Sequence, residues 1–375
     1  MKILYDPQIF NLQVFGGISL YYKKLLEEFN FNNTDEINFK LPIIYSDNKY
    51  LKNFQLINTF SLTEKNFPFK KQYIKLLNSI NRNKTVKELN KQDFDIYHPT
   101  YFDDYFLNHI KNKPFILTVH DMTNEVVPEY FVFDKRADET IKIKKKLIES
   151  ANRIIAISEN TKKDIMRFCE VDEDKIDVIY HGLPFDSTES QNESNDLPER
   201  YVLFIGQRSK YKNFISYLLS ISNILQEDDS LYLVTAGGNP FTEEEQNIIH
   251  SLNLSKKIIY KQIDSEEALI SFYKHALCFV FPSLYEGFGF PILEAFQCDC
   301  PLLASNTSSF PEVAGNAAVY IDPYNQESME NGTKKIIYDE NLMQELIKNG
   351  REQLKIYSWA ETARLTKQAY TKALQ

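Results

Sequence analysis

Cys278-Phe-Val-Phe-Pro-Ser-Leu-Tyr-Glu-Gly-Phe-Gly-Phe-Pro-Ile-Leu-Glu-Ala-Phe296 runs from an apolar tetrad through a glycine-spaced turn into a second apolar stretch. Cys278–Phe281 is short and wholly apolar, as a strand buried on both faces of a parallel sheet must be. Gly287 and Gly289 let the backbone turn tightly and approach a ligand closely. Pro291 is predicted as the first residue of a helix that continues through Phe296. A strand, a glycine turn and a helix start together build an anion site, because amides and the positive end of the helix dipole converge there. Glu286 on the turn and Glu294 one turn into the helix bracket that site. Phosphate repels a carboxylate, so both are expected to meet hydroxyl groups, for which an ionised carboxylate is purely an acceptor. A ligand with phosphate and several hydroxyls is a nucleotide sugar.

The same alternation extends in both directions. Lys2–Tyr5 reads as a strand, followed by a loop with Gly16 and Gly17 and an amphipathic helix from Ile18 to Phe29, a second phosphate-sized site at a helix start. Asp95–Pro99 and Phe115–Asp121 are further strand-to-loop units that place His98 and His120 at carboxyl ends of strands, where ligands of open parallel sheets gather. Arg153–Ile157 leads to Ser158, an N-cap for a helix over 159–168. Tyr201–Ile205 precedes a loop with Arg208, Lys210 and Lys212. Leu231–Ala236 ends in Gly237-Gly238, and Ile258–Ile263 is followed by a helix over 266–275. Ile43–Tyr45 is expected as one more strand. The pattern predicts an α/β fold of two doubly wound parallel-sheet domains facing across a cleft. The polar run from Ser187 to Glu199 has a linker's composition. The expected division is 1–188 for the first domain, 189–199 for the linker, 200–356 for the second domain and 357–375 for a closing helix.

The 375-residue chain is 43% hydrophobic and 25% charged, as a globular chain with a sizeable core is. Its net charge of −9 argues against a nucleic-acid binder. Four cysteines without a framework suit a reducing cytoplasm. Cys298-Asp-Cys300 lacks a second ligand pair, so small buried residues are expected there and no metal site. Asp103-Asp104 is read as a solvated loop or a wall of an acceptor site. The segment 65–91 stands out: eight basic residues and the single acid Glu88, with Tyr73, Ile74, Leu76, Leu77 and Ile80 at roughly helical spacing. A basic amphipathic helix in an acidic chain fits peripheral contact with an anionic membrane, and equally an ordinary solvated helix face.

Glu286-Gly-Phe-Gly-Phe-Pro-Ile-Leu-Glu294 resembles the Glu-x7-Glu signature of the retaining family 4 glycosyltransferases, which have the two-domain GT-B fold. The segment from Ser305 to Ala318, ending at Asp322-Pro323, resembles the stretch that follows it in that family. Gly16-Gly17-Ile18 is similar to the family's loop facing the donor phosphates, and Thr118-Val-His-Asp-Met122 to its His-Asp segment, which makes His120 a donor-sugar residue. Arg208 and Lys212 match the cations that hold the donor diphosphate. The resemblance implies that Glu286 binds the sugar and steadies an oxocarbenium-like state, and that Glu294 binds the ribose hydroxyls. It makes Gly287, Phe288, Gly289, Ile292 and Leu293 part of the donor site, and Tyr260 and Ile263 base contacts. Two departures are visible: a glycine common near the base is missing, and Asp299 stands where relatives often carry Gly.

The resemblance implies a hexosyltransferase using a nucleotide-sugar donor, GDP-mannose among the options, without cofactor or metal. Its acceptor would be a glycan or a lipid-linked intermediate of surface-polysaccharide biosynthesis. The protein would be cytoplasmic, peripheral on the inner face of the membrane. A nucleotide-sugar epimerase or phosphorylase on the same architecture, or a non-catalytic scaffold, stays open; the scaffold predicts loss of one of Glu286, Arg208, Lys212 and Glu294, and all four are present.

Overall fold

The computed structural model describes residues 1–31, 37–52, 54, 56–62, 67–132, 137–188, 197–208 and 210–375. Lys65 and most of the expected linker lie outside these residues. Among the described residues twelve strands alternate with helices, and their contacts divide the chain into two units.

The first unit comprises Met1–Glu125, Phe131–Gly182 and Ser358–Gln375. Its strands are β1 (Lys2–Tyr5), β2 (Asn38–Lys40), β3 (Ile96–His98), β4 (Ile116–Val119), β5 (Arg153–Ala156) and β6 (Ile176–Val178). They form parallel sets ordered β2-β1-β3 and β4-β5-β6, joined by a parallel bridge between Tyr97 and Phe115. The inner strands β1, β3, β4 and β5 are short and almost wholly buried, as a sheet covered on both faces requires, while the outer β2 and β6 are partly exposed. The last helix, Trp359–Ala373, packs in this unit: Tyr370 reaches the Tyr5 hydroxyl and His98.

The second unit comprises Val126–Tyr130 and Leu183–Tyr357. Its strands are β7 (Arg200–Ile205), β8 (Leu231–Ala236), β9 (Ile258–Lys261), β10 (Cys278–Phe281), β11 (Leu302–Ser305) and β12 (Ala318–Ile321). All are parallel, in the order β12-β11-β10-β7-β8-β9. The chain winds outward from β7 to β9, then returns to the other side of β7 with β10. The crevice beyond the carboxyl ends of β7 and β10 is thus the topological switch point, where open α/β sheets place their ligands. Phe204, Phe214, Tyr217, Leu233, Val280 and Met329 belong to the core under it.

Several expectations are corrected. The contacts divide after Gly182, where the Gln297 side chain both accepts from the Phe185 amide and donates to its carbonyl and ties that segment into the second unit. Ile43–Tyr45 is no strand; it makes a single bridge from Tyr45 to Phe60, and the strand nearby is β2. The helix after β10 is Phe290–Gln297, so Pro291 is its second residue, not its first. Of the two turn glycines, Gly289 takes φ +98 while Gly287 stays outside the left-handed region. Asp299 adopts φ +54, the conformation a glycine takes without strain, and Arg351 holds its carboxylate through two 2.7 Å hydrogen bonds. Cys298 and Cys300 are free and buried.

The basic stretch forms the helix Lys70–Lys91. Its buried stripe is Leu77, Asn81, Thr85 and Leu89, at four-residue spacing. Asn81 is fully used there, accepting from the Ile44 amide and donating to the Tyr45 carbonyl and the Asn11 side chain. The expected apolar face is split: Ile74, Leu77 and Ile80 pack with Tyr45 and Leu62, while Tyr73, Leu76 and the preceding Phe69 are exposed. No helix among the described residues is long and apolar enough to cross a membrane.

Candidate functional site

Lys212 follows β7 and Glu286 follows β10, the two adjacent central strands of the second unit. Their side chains meet in an ion pair at the switch point, each about four-fifths buried. The two loops are tied together by the Leu284 amide, which donates to the Tyr211 carbonyl at 2.8 Å. Asn213, in the left-handed region at φ +61, immediately precedes the helix Phe214–Glu227 and donates its side-chain amide to the Pro323 carbonyl. The Lys212 ammonium also lies over the rings of Phe281 and Tyr211. A compact cation and a carboxylate are thus presented side by side, the cation suited to a phosphate and the carboxylate to hydroxyls.

The turn carrying Glu286 is clasped by three consecutive hydroxyls. Thr307 donates to the Leu284 carbonyl at 3.1 Å, Ser308 donates to the Glu286 carbonyl, and Ser309 bonds the carbonyls of Glu286 and Phe288, each at 3.0 Å. The Glu286 amide in turn donates to the Ser308 hydroxyl. The clasp is built from the Ser-Thr-rich loop after β11, and it fixes the backbone from Leu284 to Phe288 just before the helix start. The run Ser305-Asn-Thr-Ser-Ser309 is the signal for it, since side-chain hydroxyls favour turns and caps.

Glu294 lies one turn into the helix Phe290–Gln297, with Ile292 and Leu293 buried beneath it. Tyr273 donates a 2.8 Å hydrogen bond to its Oε2. Desolvation pushes the Glu294 carboxyl up to about 7, against the lowering effect of the Tyr273 bond. Tyr273 is a site residue missed from the sequence; it sits on the preceding helix, Glu266–Lys274, whose Ser265 cap was readable but whose register on Glu294 was not.

Arg208 lies on the same loop after β7 and is held by contacts within the second unit. Its Nε donates to Glu245 Oε1 at 2.9 Å, and one terminal nitrogen bonds the Asn239 carbonyl at 2.6 Å and Glu245 Oε2 at 3.3 Å. The guanidinium is stacked over Phe241 at 4.7 Å and near Tyr260 and Phe214, with 4% of the side chain exposed. The other terminal nitrogen is buried and makes no hydrogen bond among the described residues. Arg208 is thus engaged by Glu245 and Asn239 through two of its three nitrogens, a few residues from Lys212 on the same loop. Its partner Glu245 also closes a capping box with Thr242 at the start of the helix Glu243–Ser251. The Thr-x-x-Glu signature was visible in the sequence; its second use on Arg208 was not. Tyr260 and Ile263 belong to this same end of the sheet: the Tyr260 hydroxyl donates to the Gly238 carbonyl, and Ile263 leaves no room for a Cβ at Gly237. The Lys210 side chain lies outside the described residues.

In the first unit, Gly16 and Gly17 open the helix Gly17–Phe31 after β1. The Gln13 side chain accepts from the Ser19 amide there, and it occupies the space a Cβ on Gly16 would need. His120 follows β4, buried edge-on against Tyr21 and Tyr22. Burial pulls its imidazole down to about 4, so it is neutral at pH 7, and its Nε2 makes no hydrogen bond among the described residues. His98 differs: one ring nitrogen meets the Tyr370 hydroxyl and the other meets Thr118, a satisfied core histidine. Asp103 and Asp104 pair with Arg82 and Lys146 at the surface. Among the described residues no group of three or more His, Cys, Asp or Glu side chains is arranged to hold a metal.

Comparison with known proteins follows these lines. Residues 186–353 match the model of glycosyl transferases group 1, and residues 48–187 match that of glycosyltransferase family 4. The serotype-specific mannosyltransferase WbdA of Escherichia coli is 26% identical over 273 residues, 69% of this chain and 34% of that protein, so the chain spans about a third of that relative's length. The O-antigen chain mannosyltransferase B of Escherichia coli is 27% identical over 286 residues, 73% of this chain and 74% of that protein. Among solved structures, sucrose-phosphate synthase from Thermosynechococcus elongatus superposes with a TM-score of 0.73 at 18% identity, covering 99% of this chain and 98% of that one. With the parallel doubly wound sheets, the Glu286–Lys212 pair and these matches together, the chain belongs to the family 4, group 1 glycosyltransferases and has their GT-B fold.

Proposed function

We propose that this protein is a retaining hexosyltransferase that moves mannose from GDP-mannose to a hydroxyl of a lipid-linked or polysaccharide acceptor. The observation that carries the reading is the Lys212–Glu286 pair at the switch point of the second sheet. In the reaction, the bond from the anomeric carbon to the β-phosphate oxygen breaks and a bond to the acceptor oxygen forms on the same face. The acceptor proton passes to the departing phosphate, and GDP leaves. Negative charge grows on the diphosphate, where the Lys212 ammonium is a fixed counter-charge that needs no reorganisation. Positive charge grows at the anomeric carbon, where Glu286, its turn clasped by Thr307, Ser308 and Ser309, accepts from the sugar hydroxyls and offsets the charge. Glu294 accepts from the ribose. Lys212 carries the cationic role, so the reading needs no metal ion.

The two Escherichia coli relatives are mannosyltransferases by name, and one acts on the O-antigen chain, which supports both the sugar and a surface-polysaccharide acceptor. The reading assigns the acceptor to the first unit and keeps Gly16, Gly17 and the neutral His120 as its functional positions there. It places the protein in the cytoplasm at the inner membrane face, with Phe69, Tyr73 and Leu76 as apolar anchors among exposed lysines of the helix Lys70–Lys91. Incubation with GDP-mannose and a membrane extract tests it: the wild type releases GDP and forms an α-linked product by NMR, and Glu286→Gln does neither. A β-linked product, or equal turnover by Glu286→Gln, overturns it.

A further inference from the structure

Glu294 has one hydrogen-bond donor described on its carboxylate, and that donor comes from another helix. Tyr273 is fully buried, its ring set edge-on against Phe279 of β10 at 5.3 Å and 80°. This packing leaves the phenol little freedom, and its hydroxyl meets Glu294 Oε2 at 2.8 Å. A phenol is a single donor, so it takes one carboxylate oxygen and leaves Oε1 to accept. A carboxylate that must receive two neighbouring hydroxyls of a ring gains from being held in one plane, because fixing the side chain beforehand removes an entropic cost from binding.

We propose that Tyr273 is a positioning residue for nucleotide recognition: by holding Oε2 of Glu294 it orients the carboxylate for the ribose 2′- and 3′-hydroxyls. This rests on the reading of Glu294 as the ribose acceptor. A tyrosine that only fills the core would be replaced by phenylalanine without consequence for the ligand, because the ring and its contact with Phe279 are kept. A positioning tyrosine, once replaced, loses selectively what the two ribose hydroxyls contribute.

The test is calorimetric binding of GDP and UDP, and of their 2′,3′-dideoxy forms, to wild type, Tyr273→Phe and Glu294→Gln. The wild type is expected to prefer the ribose form of its nucleotide on the order of tenfold or more, as hydrogen bonds to a charged acceptor give. Glu294→Gln should abolish most of that ratio. Tyr273→Phe should cut it about three- to tenfold while leaving dideoxy affinity unchanged, and the donor KM should rise with kcat preserved. If Tyr273→Phe keeps the full ratio while Glu294→Gln loses it, Tyr273 is only core and the proposal fails while the ribose reading stands. If Glu294→Gln keeps the ratio, or neither nucleotide binds, the ribose reading fails and the proposal with it.

Discussion

Two ion pairs grow from one loop of this protein, and they do different things. Lys212 pairs with Glu286 across the ends of β7 and β10, with nearly a fifth of each side chain in contact with solvent. Arg208, four residues earlier, pairs with Glu245 inside a cage of Phe214, Phe241 and Tyr260, with 4% and 10% exposed. Both look alike in sequence: a cation near the end of the strand β7 and a glutamate far along the chain. The difference lies in desolvation. A guanidinium that is flat, stackable and donates along a fixed fork can be sealed between rings and a carboxylate. A lysine at the mouth of the crevice, with a carboxylate on a clasped turn, keeps a charge that a ligand can claim. Two cations of equal charge thus stand in different surroundings, and the proposed reading gives the diphosphate to the less enclosed one, Lys212.

The comparison breaks most visibly at Arg208. Arg208→Ala leaves the Glu245 carboxylate buried and uncompensated, and chemical denaturation should show a loss of about 3–5 kcal/mol. The folded fraction should still bind nucleoside diphosphate. A stable Arg208→Ala variant that loses the nucleotide would reverse the roles assigned to the two cations. Lys212→Ala should do the opposite. Stability should fall by about 1–3 kcal/mol, the scale of leaving a mostly buried acceptor without its donor, while kcat falls about 100- to 1000-fold, the scale of losing one fixed stabilising group.

Glu294 sharpens the contrast through pH. Its folded carboxyl titrates near about 7 instead of 4.5, chiefly by desolvation. Between those values the folded state keeps a proton that the unfolded chain gives up, so the cost of burying the charge is absent below about pH 4.5, accumulates up to about pH 7 and is constant above it. Glu294→Gln should match wild-type stability near pH 4.5 and exceed it at pH 8 by about 3 kcal/mol. Donor affinity of the wild type should rise from pH 6 to pH 8, because hydroxyls bind the ionised form, and that of Glu294→Gln should stay flat. A wild-type profile as flat as the variant's would remove Glu294 from the site. The smallest effect is at Asp299. Asp299→Gly relieves a left-handed residue at the cost of an exposed pair with Arg351, and thermal unfolding should register a gain of about 1 kcal/mol or less.

Much of this architecture was legible from periodicity. The all-apolar tetrad at β10 and the mostly apolar runs at β4, β7 and β8 announced parallel strands, and the glycine turn before Phe290 announced the site. Lys212, Glu286 and Glu294 were found because they lie on loops and helix starts next to those strands. What stayed hidden depends on contacts between distant segments. The use of Glu245 by Arg208, the register of Tyr273 on Glu294, and the Gln297 side chain that ties Phe185 into the second unit all join residues whose spacing follows no helical or strand period. The basic helix misled in part because its buried stripe includes Asn81 and Thr85, polar residues satisfied by loop backbone or by the preceding helical turn, so the apolar pattern pointed to a broader inward face than exists.

The most direct measurement is a thermal-shift series of wild type, Lys212→Ala and Arg208→Lys against UDP, GDP, ADP and dTDP. The account predicts that one nucleotide, supplied at about 100 times its dissociation constant, stabilises the wild type by about 2.7 kcal/mol. It also predicts that Arg208→Lys keeps most of that gain and Lys212→Ala loses it. No stabilisation by any of the four, or a gain retained in Lys212→Ala, would contradict the assignment of the switch point as a nucleotide-sugar site.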